Sequence, residues 1–286
     1  MLRFVVYTAI TIVVGGACFM VFQPASLATP IKTDIVASVS MATSAPQEVR
    51  SVLPNETRVR VPILVYHGVR DTKPNETAEV RQFNIAPKEL DRQLAYLKEQ
   101  GFTTISFKDL EAYFDKNTPL PDKPVILTFD DGWQTQYEQA LPLLKKYTMK
   151  ATFFLFPNGM GHKNFITWDE ARDLVTAGME IGSHSKSHQY MTKQDIAVLP
   201  KEVSGSKAWL EEELHTPVTA FSYPFGLYNE VITTLLRETG YTSARTLNKS
   251  TIQSRANRLE MPSYLVSNNF KDFQYIINIV ETKTTQ

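Results

Sequence analysis

The sequence has one cysteine, five histidines and no excess of charge. The scarcity of cysteine and the balance of charge each exclude a class of protein or site. With Cys18 as the only thiol, no disulfide can form within the chain and no thiolate-rich metal site can be built. The 30 basic residues balance 30 acidic residues, so net charge gives no reason to expect a nucleic acid partner. A metal bound to this chain must therefore be held by histidine and carboxylate side chains.

An uncharged apolar run near the N-terminus predicts export of the rest of the chain. Phe4–Phe22 contains no charged residue and follows Arg3. As a helix this run would span roughly 28 Å, close to the hydrocarbon thickness of a bilayer. We interpret residues 1–28 as a membrane anchor with its N-terminus in the cytoplasm, or as a signal peptide cut after Ala28. Lipidation at Cys18 is a third interpretation, although Gly15 is a poor residue three places before it. Each interpretation makes the protein membrane-anchored on the extracytoplasmic side, or secreted.

The remaining chain divides by pattern into a linker and a folded domain. Residues 29–60 carry proline, serine and threonine without a sustained period, which predicts a flexible linker. In the predicted domain, residues 61–286, short apolar runs alternate with amphipathic stretches. The predicted strands are 61–66, 103–106, 125–129, 151–156, 179–183, 218–223 and 241–246, and the predicted helices are 87–100, 108–114, 137–147, 167–178, a stretch ending at 215, 229–239 and 270–281. This alternation predicts an α/β fold, a (β/α) barrel whose chemistry lies at the carboxyl ends of its strands.

Two adjacent carboxylates follow one of these strands. Asp130 and Asp131 come directly after the strand at 125–129. Burying two like charges side by side costs several kcal/mol unless a cation or hydrogen bonds compensate. Because neighbouring side chains of an extended segment point in opposite directions, one carboxylate can reach a metal while the other faces water or substrate. The alternative is an ordinary Asp-Asp-Gly turn.

Two histidines follow another strand. His184 and His188 come after the strand at 179–183, four residues apart. On a helical turn this spacing puts both imidazoles on one face, where they can share a metal. A single histidine at such a place is more often a satisfied polar group.

Three further features lie at predicted strand ends. Tyr223, Pro224 and Phe225 form a rigid turn that either fixes a backbone N–H and an aromatic wall or merely ends the strand. His67 ends the first strand, where it can act as a proton donor, support a metal ligand or make a structural hydrogen bond. Trp133 is placed to line a sugar-binding groove.

These residues resemble a known family in both order and spacing. Thr128–Gly132, His184–His188 and Ser222–Gly226 are similar to the first three motifs of the polysaccharide deacetylases, the NodB-homology group or carbohydrate esterase family 4. The resemblance runs from about Val61 to the C-terminus. Tyr66-His67 and the Tyr-Pro-Phe-Gly turn resemble the branch that includes poly-N-acetylglucosamine deacetylases of biofilm matrix. The fold implied by the resemblance is the family's deformed (β/α) barrel.

The resemblance also implies roles for the site residues. Asp130 matches the catalytic base, and Asp131, His184 and His188 match the ligands of a divalent metal, usually Zn²⁺. Phe225 matches the residue whose backbone N–H binds the oxyanion.

Two departures from the family's motifs concern catalysis. Ser222 stands where the family has an arginine that orients the base. The segment 261–269, where the family has a histidine as general acid, contains no histidine. The leaving amine would therefore be protonated by His67, by a residue of the metal site or by water.

The expected activity is metal-dependent removal of N-acetyl groups from a polysaccharide that contains N-acetylglucosamine, with release of acetate. That polymer could be poly-N-acetylglucosamine, a chitin-like chain or peptidoglycan. The alternatives are an O-acetyl esterase acting on xylan and a catalytically weak carbohydrate-binding protein at the cell surface. Besides the polysaccharide, the expected partner is the membrane, through the N-terminal segment; we expect a monomer without nucleic acid.

Overall fold

The structure is a computed structural model that describes residues 7–14, 17–24 and 57–281, and the chain divides into two compact units, Met1–Ser51 and Val52–Gln286. In the first unit, strand β1 (Tyr7–Val14) pairs antiparallel with strand β2 (Ala17–Pro24). The helix expected within residues 1–28 is therefore wrong for these two segments. Their β-branched residues favour an extended backbone.

Two other predictions for the N-terminal part concern a membrane-spanning helix and the linker. Among the residues that the structure describes, no helix has both the length and the apolar character needed to cross a bilayer. Most of the predicted linker at 29–60 lies outside the described residues. Export therefore stays a prediction from the sequence.

The second unit alternates strands and helices as the sequence predicts. Its strands are β3 (Arg58–Arg60), β4 (Ile63–Tyr66), β5 (Gly68–Val69), β6 (Asn84–Ile85), β7 (Thr103–Thr104), β8 (Pro124–Asp130), β9 (Thr152–Leu155), β10 (Glu180–Ser183), β11 (Ala220–Ser222), β12 (Ser243–Arg245), β13 (Ile252–Ser254) and β14 (Tyr264–Leu265). Its helices are α1 (Ala78–Arg81), α2 (Pro87–Glu99), α3 (Phe107–Lys116), α4 (Leu141–Tyr147), α5 (Trp168–Thr176), α6 (Leu199–Leu214), α7 (Glu230–Glu238) and α8 (Phe270–Glu281). The first part of the helix predicted at 137–147 is instead a π-helical turn over Gln136–Ala140.

Local sequence explains where several helices begin. Ser106 and Thr167 each accept a hydrogen bond from the third residue of the following helix, whose carboxylate bonds back to the cap. These two capping boxes start α3 and α5. Helix α2 begins at Pro87, a residue whose fixed φ suits the first helical position.

The central sheet is parallel and runs in the order β12-β11-β10-β9-β8-β4-β14, with β7 beside the start of β8. Residues 258–266 join its two ends. Met261 exchanges hydrogen bonds of 2.8 Å with Ala244 and Thr246 at the β12 edge, and the Val266 N–H donates to the Val65 carbonyl at the β4 side, 2.9 Å away. The sheet thus curls round on itself, consistent with the predicted deformed (β/α) barrel.

Alternation along the strands separates an outer core from the barrel interior. Outward-facing apolar side chains of the strands pack with the helices; they include Leu64, Leu127, Phe129, Phe153 and Phe221. A second buried cluster, with Ile63, Ile126, Phe154, Ala220 and Met261, lies on the alternate face. A Cβ at Gly182 would lie 2.3 Å from the Phe154 ring, so glycine is required for that ring to fit. The alternation that places Ile126 and Ala220 inward also directs Asp130 and Ser222 inward, two or four residues later.

Candidate active site

Asp130, the last residue of β8, is buried at the carboxyl end of the sheet, 3% exposed. Its Oδ2 accepts a hydrogen bond of 3.2 Å from the Ser222 hydroxyl and is ion-paired with the guanidinium of Arg245. Its Oδ1 is buried and makes no hydrogen bond within the described part of the chain. One carboxylate oxygen is therefore held in place, and the other has its lone pairs available.

Asp131 approaches the same imidazole as Asp130, that of His184, because the chain turns sharply after β8. Its φ is +77°, and that of Gly132 is +71°, so the backbone is left-handed rather than extended. The expectation that the two carboxylates point to opposite sides is therefore wrong. Asp131 Oδ2 accepts a hydrogen bond of 2.8 Å from the indole N–H of Trp133. Trp133, which stacks on Phe165, orients this carboxylate; the sugar groove expected at Trp133 stays a prediction.

His184 and His188 converge on Asp131 Oδ1. The distances from this oxygen to the imidazole Nε2 atoms are 3.6 Å for His184 and 3.2 Å for His188. The segment is a loop with φ values of +61° at Ser185 and +56° at His188, so the predicted helical turn is wrong although the convergence is as predicted. The His184 Nδ1 lies 2.7 Å from the Ser222 carbonyl, so this nitrogen carries the proton and Nε2 presents its lone pair.

The donor set fits a divalent cation. One ligand atom from each of Asp131, His184 and His188 lies within 4.8 Å of the other two. Asp131 Oδ1 is buried, and the Nε2 atoms of both imidazoles lie close to it, at 3.6 Å for His184 and 3.2 Å for His188. When both rings are neutral with Nε2 unprotonated, three acceptors face one point, an arrangement that a cation satisfies. Two imidazoles and a carboxylate are ligands that zinc accepts in sites with an open position.

Asp130 is kept ionised by its neighbours. Burial alone would raise the pKa of Asp130, but the Arg245 guanidinium, and then His184 and His67, hold this pKa below its usual value. A carboxylate whose pKa is lowered in this way is deprotonated at neutral pH. It can therefore accept a proton.

The pKa values of His184 and Asp131 favour metal binding, whereas the raised pKa of His188 means that a cation must compete with a proton there. Burial lowers the pKa of His184 to about 4, so its ring is neutral at pH 7. Burial opposes ionisation of Asp131, but its hydrogen bond with His188 and the nearby imidazoles hold its pKa below the usual value. Burial acts against protonation of His188, and contact with Asp131 outweighs it, so the pKa of His188 is raised.

His67 follows β4, which lies on the other side of β8 from β10, the strand before His184. Its Nε2 is 3.8 Å from Asp130 Oδ2, its ring packs edge-on against Phe83, and its Nδ1 has no hydrogen-bond partner in the described structure. The side-chain amide of Gln136 donates to the backbone carbonyls of both His67 and Asp130, at 3.1 Å in the first case. Gln136 thus fixes the distance between the two strand ends that carry these side chains.

The turn at 223–225 places only one of its side chains near the metal ligands. Phe225 has a φ of +60°, and its ring centroid lies 4.9 Å from that of His188 and 3.8 Å from that of Tyr190. Pro224 is buried, and the Tyr223 side chain is buried with its hydroxyl donating to the Leu259 carbonyl at 2.7 Å. Tyr223 and Pro224 therefore shape the turn, while the Phe225 ring packs against His188.

Arg245 is the functional residue that sequence reasoning missed. It lies on β12, is fully buried, and is paired in register with Ser222 of β11. Its guanidinium also lies 5.3 Å from the centroid of the Phe154 ring. An arginine inside a strand predicted to be apolar was the available indication, since a buried arginine needs an anionic partner.

Comparison with known proteins agrees with this site. Residues 117–244 match the family model for polysaccharide deacetylase. The chain is 30% identical to the Bacillus subtilis protein YxkH over 65% of its own length and 64% of that protein's length. It is 26% identical to the poly-beta-1,6-N-acetyl-D-glucosamine N-deacetylase of Staphylococcus epidermidis over 72% of its own length and 78% of that enzyme. The chain thus spans just under two thirds of YxkH and somewhat more of the staphylococcal enzyme.

Solved structures show the same fold. The Streptococcus pyogenes deacetylase PplD, solved in complex with acetate, superposes with a TM-score of 0.71 at 26% identity, covering 77% of this chain and 99% of that one. IcaB from Ammonifex degensii superposes with a TM-score of 0.68 at 23% identity, covering 78% and 97%. Residues 117–244 are thus similar to the polysaccharide deacetylase family, and the chain has the fold of a solved deacetylase.

Proposed function

We propose that this protein is a metal-dependent N-deacetylase that hydrolyses the acetamido groups of a polysaccharide containing N-acetylglucosamine. The observation that carries the proposal is the close approach of an ionised Asp130 to the donor atoms of Asp131, His184 and His188. The reaction consumes water, breaks the C–N bond of the amide and yields acetate and a free amine on the polymer.

Asp131, His184 and His188 would hold the cation, and zinc suits their chemistry. A divalent cation bound there would supply Lewis acidity toward the acetyl carbonyl and lower the pKa of an attacking water. The protein's own contribution is the fixed direction of the ligand atoms. The Trp133 indole orients Asp131, and the Ser222 carbonyl sets the tautomer of His184.

Asp130 acts as the general base. Its Oδ2 is occupied by Ser222 and Arg245, so Oδ1 is the oxygen that takes the proton from water. A positioned base contributes about 10²- to 10⁴-fold to such a reaction. The backbone N–H of Phe225, in its left-handed turn, is the donor that we assign to the developing oxyanion.

His67 protonates the leaving amine. An amine is a poor leaving group, so the tetrahedral intermediate collapses productively only when its nitrogen receives a proton. Within the described residues, His67 is the imidazole beside Asp130 that is outside the ligand set, 3.8 Å from its Oδ2. This assignment answers the lack of a histidine in the segment 261–269.

Two considerations support an N-acetylglucosamine polymer over the alternatives. The relatives include enzymes named poly-beta-1,6-N-acetyl-D-glucosamine N-deacetylase. The hypothesis of a catalytically weak binding protein rested on the missing arginine at Ser222 and the missing histidine in segment 261–269; Arg245 contacts the base instead of the first, and we assign His67 to the role of the second. We further propose that the enzyme meets this polymer outside the cytoplasm, as the N-terminal sequence predicts.

Acetate release tests the proposal. Purified protein is assayed on β-1,6-linked and β-1,4-linked N-acetylglucosamine oligomers, peptidoglycan and acetylated xylan. We expect acetate from an N-acetylated substrate and little from xylan; the reverse would make the protein an O-acetyl esterase. Glycan binding without acetate release from any substrate would favour the alternative of a carbohydrate-binding protein.

Variants and metal removal test the mechanism. The Asp130→Asn protein is expected to lose about 10²- to 10⁴-fold in kcat while it binds zinc nearly as the wild type does. Asp173→Asn, a change at an exposed carboxylate that accepts a hydrogen bond from the Tyr137 hydroxyl, is the matched control and should keep full activity. A chelator should abolish turnover and zinc should restore it; full activity of metal-stripped protein would contradict the assignment of the ligands.

A further inference from the structure

The loop that presents the second histidine ligand has an unfavourable backbone. Ser185 and His188 both have φ values in the left-handed region, +61° and +56°. Residues other than glycine rarely adopt this conformation, so it persists only where surrounding contacts enforce it. The Ser185 hydroxyl accepts one such contact, from the His188 N–H at 3.0 Å.

Glu202 supplies the other contacts from outside the loop. It lies in the first turn of α6 and is 7% exposed. Its Oε2 accepts hydrogen bonds from the backbone N–H groups of Lys186, at 3.1 Å, and Ser187, at 2.9 Å. Its Oε1 accepts from the Ser187 hydroxyl at 2.7 Å. A single carboxylate therefore binds the two residues that directly precede His188.

The chemistry of this contact favours a carboxylate. Two backbone N–H groups point at one oxygen, and neither can act as an acceptor. Without Glu202, both would be part-buried donors with no partner from this side chain, and the loop would lose contacts that keep it left-handed. Such a loop could rotate toward ordinary backbone angles, which would move the His188 imidazole away from Asp131 Oδ1, now 3.2 Å away.

We propose that Glu202 is a positioning residue of the metal site, which holds the loop 185–188 so that His188 can bind the cation. The inference rests on the proposed metal-dependent function. Residues behind metal ligands typically change metal affinity by about 10- to 100-fold when they are altered. We expect a loss in this range for Glu202→Ala.

The test measures zinc affinity by competition with a chromogenic chelator, which needs no turnover. Glu202→Ala should bind zinc about 10- to 100-fold more weakly than wild type. Glu202→Gln should recover most of this loss, because its amide oxygen can accept both N–H groups while its NH₂ donates to the Ser187 hydroxyl. Glu211→Ala is the matched control: Glu211 is on the same helix and accepts from the Val218 N–H at 2.9 Å, away from the loop. It should keep wild-type affinity.

A double-mutant cycle shows whether Glu202 acts through His188. In a His188→Ala background, Glu202→Ala should cause little further loss, because the ligand that it positions is already gone. Losses that multiply in the double variant would overturn the inference. So would wild-type zinc affinity in folded Glu202→Ala, or an equal loss in Glu211→Ala.

Two further results keep the outcomes separate. If Glu202→Ala does not fold, Ser187→Ala carries the test, since it removes only the contact to Oε1; a loss of zinc affinity supports the inference and unchanged affinity overturns it. If wild-type protein itself binds no zinc, the proposed metal function fails. Tight zinc binding by wild type together with equal binding by the Glu202 variants rejects the role of Glu202 alone.

Discussion

Replacing Arg245 by methionine tests whether this buried cation keeps the base ionised. Arg245 is fully buried, and its guanidinium is ion-paired with Asp130, itself 3% exposed. Methionine fills similar space without charge. Removing one partner of a buried ion pair leaves an uncompensated charge, at a cost of about 3–5 kcal/mol. Asp130 can avoid most of this cost by accepting a proton.

The sign of the pH dependence follows from the pKa of Asp130. In the wild type this pKa is below its usual value, so Asp130 contributes stability above its unfolded pKa and loses it as the pH falls through the folded pKa. Without the guanidinium, the effect of burial has no comparable opposition and the pKa of Asp130 rises. The variant is then penalised as the pH increases through the raised pKa. The stability difference between the two proteins should therefore grow from acid to neutral pH.

Two measurements check this prediction. On chelator-treated protein, the Tm of Arg245→Met at pH 7 should be about 6–20 °C below that of the wild type, and the gap should shrink at lower pH. The acid limb of the kcat/KM profile should move to higher pH, with a loss at pH 7 of up to about 10⁴-fold. Arg172→Met removes an exposed arginine paired with Asp169 and should change neither property. A variant with the wild-type acid limb and a pH-independent Tm gap would refute the reasoning.

Three further substitutions address other parts of the site and the barrel. Trp133→Phe removes the 2.8 Å hydrogen bond to Asp131 and should weaken zinc binding about tenfold in chelator competition; unchanged affinity would mean that the indole does not orient the ligand. His67→Ala should slow hydrolysis of the amide by about 10²-fold or more but spare an aryl ester whose leaving group needs no proton, and equal loss on both would reject His67 as the acid. Gly182→Ala puts a Cβ 2.3 Å from the Phe154 ring and should lower the free energy of unfolding, measured in urea, by about 1–3 kcal/mol. In the control Gly205→Ala, the atom nearest to the new Cβ is 3.9 Å away, and stability should not fall.

The architecture could be predicted because its long elements are locally consistent. The apolar run at β8 and the capping boxes before α3 and α5 each specify one kind of structure over a few residues. The two-residue strands β5, β6 and β14 have no detectable period, and long-range hydrogen bonds create them. The closing segment 258–266 belongs to this class, because its partners Ala244 and Val65 lie far away in the sequence.

The positions of the site residues were predictable, but their local geometry was not. The carboxyl ends of parallel strands share one edge of a sheet, so the sequence predicted that Asp130 and His184 lie close together. The convergence of their neighbours depends on left-handed backbone at Asp131 and His188. Gly132 marks the first turn, as the Asp-Asp-Gly pattern allowed, but neither Asp131 nor His188 is itself a glycine, and no glycine marks the turn at His188. Contacts such as that of Trp133 with Asp131, seen only in three dimensions, hold these turns.

Arg245 shows that an arginine on a neighbouring strand can contact the base Asp130 when the sequence motif lacks its usual arginine. The resemblance places an arginine at Ser222, and its absence there raised doubt about the base. In the parallel register, Ser222 of β11 lies directly beside Arg245 of β12. Neighbouring strands are about 4.8 Å apart, well within the reach of an arginine side chain. An arginine moved by one strand at the same level of the barrel can thus still meet Asp130, and the small Ser222 leaves room for it while donating to the same oxygen. A motif along one strand cannot reveal this exchange, because the two positions are neighbours in the sheet but lie 23 residues apart in the sequence.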